Sequence, residues 1–264
     1  MAAVTAVIPA AGRGTRLFPL TYSIPKEMLP LGPKPAIQLV VEELVAAGLQ
    51  DFVIVIGNNK DAIVEHFAAL RDAEEAWANL SLRYATQAEP RGLGDAVLCA
   101  AEAVAGDLFV ALGDAVIWGQ RFGDLARRML TVYRETGAAA VVAAQEVSLA
   151  DTSRYGIIKP GAAGPGGSVR ALDLVEKPGP QAAPSRLAVC ARYVLAHGVF
   201  AALRRVTPGH GGEVQLTDAL RLLAQEQTAF AMPLQPDEER WDVGSLAGYG
   251  RTSQKAWQAL GEPD

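Results

Sequence analysis

The residues best equipped for chemistry stand close to the start of the chain. A short apolar run from Val4 to Pro9 breaks into Ala10-Ala11-Gly12-Arg13-Gly14-Thr15-Arg16, and Lys26 and Glu27 follow soon after. A buried strand that ends in small residues and two glycines lets a ligand approach the bare backbone. The amide N–H groups of Ala10, Ala11, Gly12, Gly14 and Thr15 can hold phosphate oxygens; Arg16 adds a fork of charged donors and Lys26 an ammonium. That combination suits a polyphosphate. Taken alone, Gly12-Arg13-Gly14 reads as readily as a tight strand-to-helix turn with Arg16 in solvent. A Rossmann fingerprint would need a small residue where Leu17 stands, and a P-loop would need a Gly-Lys-Ser/Thr that is absent.

Other chemistry-bearing residues recur at the ends of apolar runs. Asp114 follows Phe109-Val-Ala-Leu112 and Gly113, where it suits a turn or helix cap as well as a Mg²⁺ ligand. Asp242, in Trp241-Asp-Val-Gly-Ser245, is equally at home in a surface turn. Glu176 and Lys177 close another run before Pro178; both can point into one pocket only if the strand ends there. Otherwise they are an exposed pair of little energetic worth. Gln87 ends a further strand, and its amide offers both a donor and an acceptor.

The longer string from Gly12-Arg-Gly-Thr-Arg-Leu-Phe-Pro19 through Ile24-Pro-Lys-Glu-Met-Leu-Pro-Leu31 resembles the signature of the sugar-1-phosphate nucleotidylyltransferase family. Pro25 to Pro30 is most similar to its glucose-1-phosphate uridylyltransferase branch, and the likeness covers nearly the whole chain. The resemblance implies transfer of a nucleotidyl group from UTP to α-D-glucose 1-phosphate, giving UDP-glucose and pyrophosphate with Mg²⁺ as cofactor. It implies Asp114 and Asp242 as metal ligands, and Arg16, Lys26 and Lys177 as catalytic cations. It places Gln87, Gly92 and Gly94 at the base, Glu27 near the nucleotide, and Glu176, Lys177 and the Tyr155-Gly156 turn at the sugar. In that branch a proline precedes the first metal-binding aspartate, whereas Gly113 stands here. Gly212-Glu-Val-Gln-Leu-Thr-Asp218 matches another family segment, for which a helix N-terminus is an adequate structural explanation. A thymidylyltransferase using dTTP and a non-catalytic nucleotide-sugar-binding regulator are the alternatives. Loss of Arg16, Lys26, Asp114 or Lys177 would favour the regulator, and all four are present.

A sugar phosphate is largely ionised at neutral pH, since its second pKa is about 6, and needs no general base to become a nucleophile. This agrees with a sequence that shows no Ser/His/Asp or Cys/His arrangement. What remains is positioning and charge neutralisation at the α-phosphorus.

Elements must bring these residues together. Apolar spacing predicts a helix over 35–48 and a strand over 52–56. A helix from Asp61 to about Leu70 and a strand over 80–86 follow, then a helix over 95–104 after a second glycine turn, a strand over 108–112, a helix over 121–136 and a strand over 138–147. This alternation predicts an α/β fold with a Rossmann-like, mostly parallel central sheet flanked by helices. Ligands of such sheets bind outside the carboxyl ends of the strands, where Gly12, Gln87 and Asp114 all fall. Beyond Asp151 the reading is a hairpin of strands over 155–159 and 169–176 and a strand over 187–195. Helices over 199–205 and 214–226, a strand over 230–234 and a terminal helix to about Leu260 complete it. We expect one domain over 1–264, a nucleotide-binding part at 1–150 merged with a sugar-binding part at 151–264.

Net charge is −5, which suggests neither a nucleic-acid partner nor an anionic membrane. The N-terminal run lacks the basic lead of a signal peptide, and the run over 138–144 is too short to span a bilayer. Cys99 and Cys190 sit apart in apolar segments, as reduced thiols of a cytoplasmic protein would. His66, His197 and His210 lack ligand spacing, so no zinc site is expected. Against the resembled family the chain reads as trimmed after the helix ending near Leu70 and at its C-terminus, where Gly261 to Asp264 follow the last helix. Trp257, Leu260, Tyr249 and Ala256 could form one apolar stripe, either packed on the chain's own sheet or pairing two copies. A homo-oligomer no larger than a dimer is expected.

Overall fold

In the computed structural model, residues 3–58 and 61–261 are described, without the side chain of His210; residues 262–264 of the expected tail lie outside them. The first half runs β1 (Val4–Ala10), a small hairpin of β2 (Pro30–Leu31) and β3 (Lys34–Pro35), α1 (Ala36–Ala46), β4 (Asp51–Gly57), α2 (Asp61–Ala73), α3 (Glu75–Ala78) and β5 (Ser81–Gln87). It continues with α4 (Leu93–Cys99), β6 (Asp107–Ala111), β7 (Ala115–Trp118), α5 (Asp124–Thr136) and β8 (Ala140–Glu146). The second half adds β9 (Gly156–Ala163), β10 (Val169–Glu176), α6 (Gly179–Ala182), β11 (Leu187–Leu195) and α7 (Val199–Arg205). It ends with α8 (Leu216–Glu226), β12 (Ala229–Pro233), β13 (Glu239–Asp242) and α9 (Leu246–Leu260).

Among the described residues, nine strands form one sheet in the order β5-β4-β1-β6-β11-β8-β12-β10-β9. The ladders β5–β4–β1–β6 are parallel, as alternating strands and helices require, and so is β8–β12. Antiparallel pairing enters with β11, which lies between β6 and β8, and continues through β10 and β9. The solid apolar runs follow from burial on both faces. On β1, Ala6, Ile8 and Ala10 join a core layer with α1, α2 and α5, while Val7 joins the opposite layer with α4, α7 and α8. The two halves of the chain therefore share one sheet.

Register brings the strand ends to a common rim. Ala10 pairs with Ile56, and Gly57 pairs with Gln87, so the glycine loop after β1 and the amide ending β5 sit on the same edge. Asp242, which local sequence alone also allowed in a surface turn, ends β13; that strand pairs antiparallel with β7, and neither is among the strands expected from the sequence. These strands are short, and each follows a Gly-Asp or Asp-Glu turn that masks its alternation.

Candidate active site

β1 stops at Ala10 because the chain turns through Ala11 to Gly14, whose left-handed φ of 65° suits glycine. The hydroxyl of Thr21 donates to the Gly14 carbonyl at 2.8 Å and ties the turn to the following segment. A Cβ on Gly12 would lie 3.2 Å from the Lys26 Nζ, so the missing side chain gives the ammonium its place on the loop. That ammonium donates to Asp114 Oδ2 at 2.5 Å and lies 3.9 Å from buried Glu27. Burial alone would push the Lys26 pKa down and the Asp114 pKa up. Their mutual attraction, with Glu27 acting on Lys26 and Arg240 on Asp114, outweighs it. Lys26 is held above the ordinary lysine value and Asp114 below the ordinary carboxylate value.

Asp114 precedes β7 and Asp242 ends β13. Their ribbon sets Asp242 opposite Ala115, and the Val243 N–H donates to the Asp114 carbonyl at 3.0 Å. The two aspartates, far apart in sequence, are thus backbone neighbours. Asp242 Oδ1 accepts from the Gly244 N–H at 2.6 Å and its Oδ2 from Arg240 at 3.1 Å. The Arg16 guanidinium lies over the same turn, 3.3 Å from where a Gly244 Cβ would stand. Arg16, Lys26, Asp114 and Asp242 therefore converge. Among the described residues no group of three or more Asp, Glu, His or Cys could enclose a metal. Two carboxylates are the kind of donor set Mg²⁺ takes beside the phosphates of a nucleotide, so the residue types fit it.

Gly113 has its own explanation. Its N–H donates to the Pro9 carbonyl at 3.3 Å, a bond a proline could not make. A Cβ there would approach the Glu27 Cγ to 3.3 Å.

The residues expected at the sugar form a second cluster. Gly156 pairs with Glu176 across β9 and β10, and a Cβ on Gly156 would lie 3.2 Å from Glu176 Oε2 and 2.8 Å from the Thr217 hydroxyl. β10 ends at Glu176, and Lys177 takes φ 45°, a left-handed conformation that lysine rarely adopts. That turn brings the Lys177 ammonium to 3.3 Å from Glu176 Oε1, so carboxylate and ammonium share one side despite being adjacent. At the end of β5, Gln87 Nε2 donates to the Gly92 carbonyl at 3.1 Å and to Asp95 Oδ2 at 2.7 Å. The Gly94 N–H is committed to the Val214 carbonyl at 2.8 Å, and a Gly94 Cβ would lie 2.9 Å from that oxygen. Gly92, with φ 111°, is packed as closely.

Comparison with known proteins bears on this arrangement. The family model described as Nucleotidyl transferase matches residues 5–259. The chain belongs to the nucleotidyl transferase family. A UTP–glucose-1-phosphate uridylyltransferase of Streptococcus pyogenes serotype M3 is 40% identical over 94% of this chain and 88% of its own. One of Bacillus subtilis is 40% identical over 94% and 87%. A crystal structure of UDP-glucose pyrophosphorylase complexed with UDP-glucose covers 97% of this chain and 99% of its own, with 34% identity and a TM-score of 0.90.

This nucleotidyl transferase also carries site residues that sequence reasoning passed over. Arg240 stands over the Tyr155 ring at 4.8 Å, donates to the Tyr155 hydroxyl at 2.8 Å and reaches Asp242, linking the Tyr155-Gly156 turn to that aspartate. The i, i+2 spacing of Arg240 and Asp242 is the signal that could have found it, once β13 is read as a strand. Fully buried Arg192 on β11 grips Glu43 of α1 through bonds of 2.9 and 2.6 Å. Arg192 also donates to the Ala115 carbonyl at 2.7 Å, and the Ile117 N–H donates to Glu43 at 3.0 Å. The pair therefore buttresses β7 from behind. No helix among the described residues is long and apolar enough to cross a membrane, and both cysteines are free thiols.

Proposed function

We propose that this chain transfers the uridylyl group of UTP to α-D-glucose 1-phosphate, giving UDP-glucose and pyrophosphate. One observation carries the reading: the glycine loop, Arg16, Lys26 and the paired Asp114 and Asp242 converge on one rim of the sheet in a chain of the nucleotidyl transferase family. An oxygen of the sugar phosphate attacks the α-phosphorus of UTP. The new P–O bond forms as the bond to the β-phosphate oxygen breaks, and pyrophosphate departs with the electron pair. Arg16 and Lys26 neutralise the triphosphate and the leaving group, and the loop amides from Ala10 to Thr15 orient it, with Glu27 beside them. Lys177 holds the attacking phosphate, while Glu176 accepts from sugar hydroxyls and Gly156 lets the ring lie against backbone. Gln87, with the Gly92 and Gly94 turn, meets the base. Nucleotidyl transferases generally depend on a divalent metal. Here we assign Mg²⁺ to Asp114 and Asp242; when bound it offsets phosphate charge.

In this reading 1–150 is the nucleotide-binding part and 151–264 the sugar-binding part. The protein works in the cytoplasm, alone or as a homodimer. The test is pyrophosphate release from each nucleoside triphosphate with a panel of sugar 1-phosphates. UTP with glucose 1-phosphate is expected to be fastest, and activity is expected to vanish in EDTA and return with Mg²⁺. Preference for dTTP would make the chain a thymidylyltransferase; no release from any pair would overturn the enzyme reading.

A further inference from the structure

The Gln87 amide is held by its nitrogen. Nε2 carries two protons, and both are engaged, one with the Gly92 carbonyl at 3.1 Å and one with Asp95 Oδ2 at 2.7 Å. A carboxylate beside an amide can only accept, so the contact with Asp95 requires that the nitrogen, not the oxygen, face α4. Asp95 is itself fixed, 8% exposed in the first turn of α4, with its other oxygen 3.2 Å from the Arg91 guanidinium. The Gly92 carbonyl is fixed too, because the turn is sewn to the neighbouring loop by bonds of 2.8 Å from Gly94 to Val214 and from Val214 to Arg91. Gln87 therefore cannot flip without leaving two acceptors unmatched. Among the described residues no donor reaches its Oε1, which is the one part of the amide with capacity for a ligand.

We propose that Asp95 is a positioning residue that locks the Gln87 amide with its oxygen toward the base. The site thereby selects a pyrimidine presenting an N3–H and rejects one whose N3 is a bare acceptor. This rests on the assignment of Gln87 to the base. A free glutamine would serve either kind of ring by rotating. A locked one discriminates, because a bare ring nitrogen meets a lone pair instead of a proton.

The test measures binding of UTP, CTP and 3-methyl-UTP to the full-length protein by calorimetry, with Mg²⁺ present. The wild type is expected to bind UTP at least 10-fold more tightly than the other two. Asp95→Asn, whose amide can turn either end to Gln87, is expected to narrow the UTP-to-CTP ratio about 10-fold while the KM for glucose 1-phosphate stays unchanged. Arg91→Ala, which leaves the carboxylate in place, is expected to keep the wild-type ratio. Wild-type protein that binds 3-methyl-UTP or CTP as well as UTP overturns the proposal, and this arm stands even if Asp95→Asn does not fold. A folded Asp95→Asn with the wild-type ratio overturns it also. Gln87→Ala separates the two layers. If it keeps full discrimination, Gln87 does not meet the base at all. If it loses discrimination while Asp95→Asn retains it, the assignment to the base stands and the lock alone fails.

Discussion

Lys177 shows how one backbone angle makes two neighbours cooperate. A strand would have sent Glu176 and Lys177 to opposite faces, and the left-handed φ of 45° at Lys177 undoes that alternation where β10 ends. If the ammonium aims the attacking phosphate, Lys177→Ala is expected to lower turnover about 10²–10³-fold, as removal of one charge-stabilising donor commonly does. UTP affinity in calorimetry is expected to change little, and an equal loss there would move Lys177 to the nucleotide side. Asp114, Gln87 and Glu176-Lys177 stood out as candidates in the sequence because each ends an apolar run, and Lys26 because it follows the glycine loop. Arg240 was not, since its partner Tyr155 is remote in sequence and its strand is short. Nor could the sequence reveal that both Gln87 protons are taken; that depends on where α4 places Asp95.

Among elements, the ribbon of β7 and β13 carries the site, and the buried Arg192–Glu43 pair stands behind it. Both side chains are at most 1% exposed, so removing one charge strands the other in a dry interior. Glu43→Gln is expected to cost about 3–5 kcal/mol, which in a chain of this size is a fall in Tm of about 10 °C. A urea midpoint and a thermal melt within error of wild type would show that water reaches the pair. β11 presents Arg192 at a break in its register with β8, beside Ala191 at φ 56°, a conformation that its apolar residues do not announce. The central strands and amphipathic helices were readable because apolar runs and 3.6-residue spacing are local signals. β7, β13 and the antiparallel entry of β11 were not, because pairing between distant segments leaves no local periodicity.

At the scale of the whole molecule, α9 divides the expected apolar stripe. Ala256 is buried, and Tyr249 and Leu260 pack on the body, where Leu260 lies against Gly32 beside β2. Trp257 turns outward, 44% exposed. One exposed tryptophan is a narrow footing for assembly, so light scattering over a dilution series is expected to show dimer giving way to monomer. A tetramer that persists on dilution would overturn the limit of two. The ribbon has a consequence of another kind, in the order of synthesis. The glycine loop, Lys26 and Asp114 all leave the ribosome long before β13, whose last residue is Asp242. A growing or prematurely stopped chain can thus complete most of its parallel sheet while lacking one of the two aspartates proposed to hold the metal, so that on this reading activity reports synthesis past β13.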